Sequence, residues 1–86
     1  MASYSILLKP SVEKDLRGLT RPVVRRVWAR IEALADEPLP RQSIKLAGAE
    51  HLYRLRVGDY RIVYSVDHTA RKVIIQYVRH RSTAYR

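Results

Sequence analysis

The 86-residue sequence predicts an α+β fold in which a helical hairpin packs on one face of a small, largely antiparallel sheet, in the order β-α-α-β-β-β. Three observations predict it. An apolar stripe at spacings of three and four runs from Val24 to Ala35. Two prolines, Pro38 and Pro40, close that segment. From His51 onward, short alternating blocks rich in Tyr, Val and Ile are separated by Gly58-Asp59 and by Asp67–Ala70. There are no repeats and no low-complexity tracts, so residues 1–86 are expected to form one domain.

The elements follow in order. Residues 3–9, "SYSILLK", read as a first strand. Pro10 then interrupts and Ser11 is the expected N-cap of a short helix carrying Val12, Leu16 and Leu19. Thr20 and Pro22 open a second helix, because Thr caps well and Pro fits a first turn. Val24, Val27, Trp28, Ile31, Leu34 and Ala35 share its apolar face, which assigns Trp28 to the core. A short link near Gly18–Arg21 makes the pair an antiparallel hairpin. Asp36 to Gln42 is a loop, "SIKLAGAEH" leads in to the sheet, and strands are expected at about 51–57, 60–67 and 71–79.

Composition narrows the chemistry. The chain has no cysteine, which excludes disulfides and thiolate sites. The opening "MASYSILLKPS" has too short an apolar run for a signal peptide, and no segment is long enough to span a bilayer. The expectation is a cytoplasmic protein without membrane contact. A net charge of +9 points to a polyanion or an acidic protein partner. Thirteen of the basic residues are arginine and four are lysine, and arginine's planar fork suits bidentate phosphate recognition. From His51 onward eight basic residues face two acids, Asp59 and Asp67. His51, His68 and His80 lack metal-ligand spacing, and there is no P-loop or GxGxxG, so no metal or cofactor is expected.

The charge concentrates in "YRLRVGDYRIVY", Tyr53 to Tyr64. Gly58-Asp59 suits a two-residue hairpin loop with Gly first, which sets Val57 against Tyr60, Arg56 against Arg61, Leu55 against Ile62 and Arg54 against Val63. Opposed residues share a face. One face then holds Tyr53, Leu55, Val57, Tyr60, Ile62, Tyr64 and Val66, for the helices to cover, and the other holds Arg54, Arg56, Arg61, Val63 and Ser65. Like charges opposed across a strand pair cost up to ~1 kcal/mol, and a bound anion reverses that cost. Arg79, His80 and Arg81 follow the last strand, with Tyr85 near the end. Arginines there can hold phosphates, tyrosine offers a face for base stacking, and His80 can transfer protons near neutral pH.

"LYRLRVGDYRIVYSV", then a polar turn, "KVIIQYV" and "HRSTAY", together with the strand–helix–helix opening and "KLAG", resemble the RelE-type toxins of bacterial toxin–antitoxin modules, within the RelE/ParE superfamily. The resemblance spans nearly the whole chain. It implies a ribosome-dependent mRNA endonuclease that enters the A site and promotes attack of a ribose 2′-OH on the adjacent phosphate without a metal. It also implies a cognate antitoxin with an acidic toxin-binding segment. Carried over residue by residue, the resemblance puts the catalytic and RNA-binding set at Arg54, Arg56, Arg61, Arg79, Arg81 and Tyr85, with His80 as a further catalytic candidate. Where many such toxins carry lysine at the paired strand positions, this chain has Arg54 and Arg56. Arginine, with a pKa above 12, is no practical general base. The base is then His80, the preferred candidate, or else Tyr85, an acid such as Glu50 or Asp59, or a ribosomal RNA group. Two other readings share the sequence features: a ParE-type poison of DNA gyrase, and a non-catalytic nucleic-acid-binding domain.

Overall fold

A computed structural model describes residues 4–48 and 51–82. Strand β1 (Ser5–Leu8) is followed by helices α1 (Pro10–Arg17) and α2 (Arg21–Ala33), then by β2 (Ile44–Lys45), β3 (Leu52–Val57), β4 (Tyr60–Asp67) and β5 (Lys72–His80). The five strands form one mixed sheet in the order β1-β5-β4-β3-β2. β1 runs parallel to β5, and the other three pairings are antiparallel. The expected α+β architecture holds, with one addition. Ile44 and Lys45, taken above as part of a lead-in, pair with Arg54 and Tyr53 as an edge strand. Two residues are too short a run for alternation to signal a strand.

Both helices begin as proline permits, with a proline in the first turn of each. Lys9, not Ser11, is the N-cap of α1, and its side chain makes no capping bond. Ser11 instead lies inside the first turn, where its hydroxyl donates to the carbonyl of Gln76 in β5 (3.2 Å). Thr20 is the N-cap of α2, as expected, but its side chain makes no capping bond.

The core forms between the helices and one sheet face. Val12, Val27, Ile31 and Leu34 pack with Leu55, Ile62, Tyr64, Val66, Val73, Ile75 and Val78. The buried Tyr64 phenol donates to the carbonyl of Pro38 (2.9 Å), tying the proline-rich loop to the sheet. Trp28 does not join this core: it is 38% exposed and lines an apolar groove with Ile6, Leu8, Ile31 and Ala35. At about 100° per residue, Val27, Ile31 and Leu34 lie within one narrow arc, and Trp28 falls on its margin. The sheet beneath α2 ends at β1, and among the described residues no element beyond β1 covers that margin.

The β3–β4 hairpin has the expected register, with Val57 opposite Tyr60, Arg56 opposite Arg61, Leu55 opposite Ile62 and Arg54 opposite Val63. Gly58 has φ +58°, the left-handed value its turn position requires. At the other end of β4, the Asp67 carboxylate accepts from the Ala70 amide (2.9 Å), closing the turn into β5.

β5 departs from regular alternation. Val63 pairs with Tyr77 but Tyr64 pairs with Ile75, leaving Gln76 as an extra residue. Val73, Ile75 and Val78 are buried in the helix-side core, so the bulge turns Tyr77 and Arg79 to the opposite face.

Two measurements test this packing. Ile31→Ala should cost about 2–5 kcal/mol by urea denaturation, and Trp28→Ala less than half as much. The second concerns alkali. Burial pushes the Tyr64 phenol above its ordinary value of 10.0, against a smaller opposing effect from the Ser43 hydroxyl. The folded protein therefore keeps a proton that the unfolded chain releases. Stability from this group is complete below about pH 10 and is lost as pH rises through the folded pKa. Tyr64→Phe, although it lacks the bond to Pro38, should show a shallower stability decline above pH 10 than the wild type.

Candidate functional site

The sheet face away from the helices carries a row of guanidinium groups. Arg56 in β3 sits opposite Arg61 in β4, and Arg61 sits opposite Arg79 in β5. The next row holds Arg54, Val63 and Tyr77. Adjacent antiparallel partners have Cα atoms ~4.5–5.5 Å apart, so the three-arginine row spans about 10 Å. Rigid strands, not loops, hold all four arginines.

Their environments differ. Arg61, in the central strand, is only 6% exposed, while Arg56 and Arg79 are exposed and Arg54 is half-buried. The Arg79 guanidinium lies 4.1 Å from the centroid of the Tyr77 ring, a cation–π contact. Tyr77 and Arg79 are two residues apart on one face, so the ring carries the guanidinium at the end of the row. Beside Arg54 and Arg56 there is an open hollow of about 290 Å³, also lined by Gln42 and Ile44.

The positions of this face next to the row are Arg54, Val63, Ser65 and Tyr77, and none is acidic. Asp67, the β4 acid on this face, lies at the far end of the strand opposite Lys72. A central, largely buried guanidinium between two exposed ones suits an anion with oxygens to share. Low local dielectric makes the central attraction stronger than it would be in water.

The other residues singled out from the sequence are placed apart from this row. His80 pairs with Tyr60, whose face is that of Ile62 and the core, so its ring is on the helix side of the sheet. It packs edge-on against Tyr60 with centroids 5.2 Å apart. Its Nδ1 lies 2.8 Å from the Ser82 hydroxyl and accepts from the Ser82 amide (3.2 Å). Arg81 is exposed beyond the end of β5, where its amide donates to the carbonyl of Asp59 (2.7 Å). Tyr85 and Glu50 lie outside the described residues. Tyr77 was not among the residues singled out. Its spacing from Arg79 was the available signal, but the bulge that brings both to the arginine face is not visible in the residue pattern.

A helical hairpin covers one face of the mixed sheet, and the arginine row lies on the other. The family model described as ParE toxin of type II toxin-antitoxin system, parDE, matches residues 6–85, and the chain belongs to that family, within the RelE/ParE superfamily. A curated protein of Methanocaldococcus jannaschii named as a RelE1 toxin is 29% identical over 86 residues, covering 96% of both chains. Among solved structures, the archaeal RelE–RelB complex from Pyrococcus horikoshii OT3 has a chain 34% identical, with TM-score 0.83, covering 92% of this chain and 96% of that one. The RelBE2 toxin–antitoxin complex of Mycobacterium tuberculosis has one 28% identical, with TM-score 0.80, covering 92% and 99%. Among the described residues, no helix is long and apolar enough to cross a membrane.

The arginine row predicts polyanion binding of a specific salt dependence. The slope of log affinity against log salt for a single-stranded RNA oligonucleotide should fall by about 0.7 in Arg56→Gln and in Arg79→Gln. Arg17→Gln, in the last turn of α1 on the other side of the sheet, should leave the slope unchanged. Fluorescence anisotropy at several salt concentrations reads the difference.

Proposed function

We propose that this toxin is a ribosome-dependent mRNA endonuclease, and the observation that carries the reading is the Arg56–Arg61–Arg79 row on the open sheet face. In the reaction, a ribose 2′-OH forms a bond to the adjacent phosphorus while the bond from phosphorus to the 5′ oxygen breaks. The products are a 2′,3′-cyclic phosphate and a free 5′-OH. The 2′-OH proton goes to a base, and the leaving 5′ oxygen gains one.

The arginines take the electrostatic part. Charge accumulates on the phosphorane oxygens in the transition state, and fixed guanidiniums aimed there stabilise it without reorganising. Arg61 is the central clamp, with Arg56 and Arg79 on either side and Arg54 behind. Rigid strand positions supply the in-line geometry. Arg81 and Tyr85, nearer the end of the chain, extend the RNA contact. The placement of His80 behind the sheet weighs against it as the base and leaves proton transfer to Tyr85, an acid or a ribosomal RNA group.

The relatives crystallised as RelE–RelB complexes support a cognate antitoxin for this chain as well. With a net charge of +9, the toxin is suited to an antitoxin segment that is acidic and orders on binding. Covering the arginine row would silence the site.

A second reading has its own support, since the matching family model is described by the ParE toxin, and it makes the chain a gyrase poison. Primer extension on ribosome-bound message, run beside a gyrase supercoiling assay, separates the two. The endonuclease reading expects cuts inside translated codons, little cleavage of free RNA, and a cleavage rate lowered ~10²–10³-fold in Arg61→Ala with its circular-dichroism spectrum unchanged. Inhibited supercoiling with intact message would establish the other reading. An Arg61→Ala variant of full cleavage rate would remove the row from the chemistry.

A further inference from the structure

The arginine row depends on a contact made from the opposite side of the sheet. We propose that Asp15 of α1 is a positioning residue that sets Arg79 in the row by holding the β5 bulge. The use of that row on RNA rests on the functional reading above, but the positioning itself does not.

Three hydrogen bonds converge on the bulge. The Asp15 Oδ2 accepts from the Val78 amide (3.0 Å). The Ser11 hydroxyl donates to the Gln76 carbonyl (3.2 Å). On the other face the Gln76 side-chain amide donates to the Ser65 hydroxyl (3.1 Å). Ser11 and Asp15 are four residues apart, so they stand one above the other on the face of α1 that meets β5. One takes a backbone amide and the other supplies a donor to a backbone carbonyl, at the place where an extra residue disrupts the ladder.

The consequence lies on the far face. Strand alternation has period two, so β5 without its extra residue would point Tyr77 and Arg79 towards the helices and Val78 away from them. With the bulge, Val78 is 2% exposed in the core and Arg79 lies opposite Arg61 with its guanidinium over Tyr77. Removing the Asp15 carboxylate takes the acceptor from the part-buried Val78 amide, which favours a shift of the strand that restores a partner. Any such shift displaces Tyr77 and Arg79 together.

The test uses the full chain. In the wild type, the Arg79 δ-methylene protons should resonate upfield, shielded by the Tyr77 ring. Asp15→Ala should move them towards the values of an unstacked arginine and remove the hydrogen-exchange protection of the Val78 amide. Asp15→Asn, which keeps a carbonyl acceptor, should retain both. Affinity for a single-stranded RNA oligonucleotide at 0.1 M salt should fall ~5-fold in Asp15→Ala, the value of one lost phosphate contact. It should fall no further when Asp15→Ala is added to Arg79→Ala, whereas a merely structural role would give additive losses. Should Asp15→Ala not fold, Ser11→Ala carries the same readouts with a smaller shift of the Arg79 protons. Wild-type Arg79 shifts and RNA affinity in a folded Asp15→Ala, or in Ser11→Ala where that is the variant read, would overturn the proposal. If instead Arg79→Ala leaves RNA affinity unchanged, the functional reading of the row fails while the proton shifts still decide the role of Asp15.

Discussion

The single extra residue at Gln76 is the constraint on which the two faces of the sheet depend. β5 pairs with both β4 and the parallel strand β1, so its phase is felt across the sheet. Up to Ile75 the strand sends alternate residues into the helix-side core, and beyond the bulge the phase resets so that Val78 enters the same core. The disrupted ladder does not leave the Val78 amide or the Gln76 carbonyl without partners, because α1 supplies Asp15 and Ser11. The helix that covers one face of the sheet therefore also sets what the sheet presents on its other side.

The central hairpin solves a related problem by simple alternation. Tyr53, Leu55, Val57, Tyr60, Ile62 and Tyr64 line one side, and Arg54, Arg56 and Arg61 line the other. Burying Arg61 to 6% exposure is the costly step, since a desolvated cation must be compensated by what surrounds it. The same burial lowers the dielectric around its charge, so what it meets there is felt more strongly than in water. Arg79 is treated differently, exposed to solvent but steadied by the Tyr77 ring. An exposed arginine otherwise loses considerable rotamer freedom on binding, and stacking removes part of that loss in advance.

Departures from the sequence-based expectation share one cause. Trp28 belongs to the apolar stripe of α2 but lies on its margin, where the sheet ends. Ser11 has the chemistry of a cap, yet its hydroxyl finds a carbonyl 65 residues away in the chain. His80 is flanked by two arginines in sequence, but strand alternation sends it to the opposite face, against Tyr60. In each case the neighbour that decides the residue's place comes from another element of the fold.

What the sequence determined by itself is therefore local and periodic: the helical spacing of Val27, Ile31 and Leu34, the turn at Gly58-Asp59, and the hairpin register that separates Arg56 and Arg61 from the core. These follow from interactions between residues near one another in the chain, which the residue pattern records directly. Only the tertiary structure decided that Arg79 joins the row, that Tyr77 supports it and that His80 does not share its face. Those outcomes rest on a one-residue bulge whose backbone partners come from α1, more than 60 residues earlier in the chain. A period-two pattern cannot reveal where it will be broken when the groups that stabilise the break lie on another element.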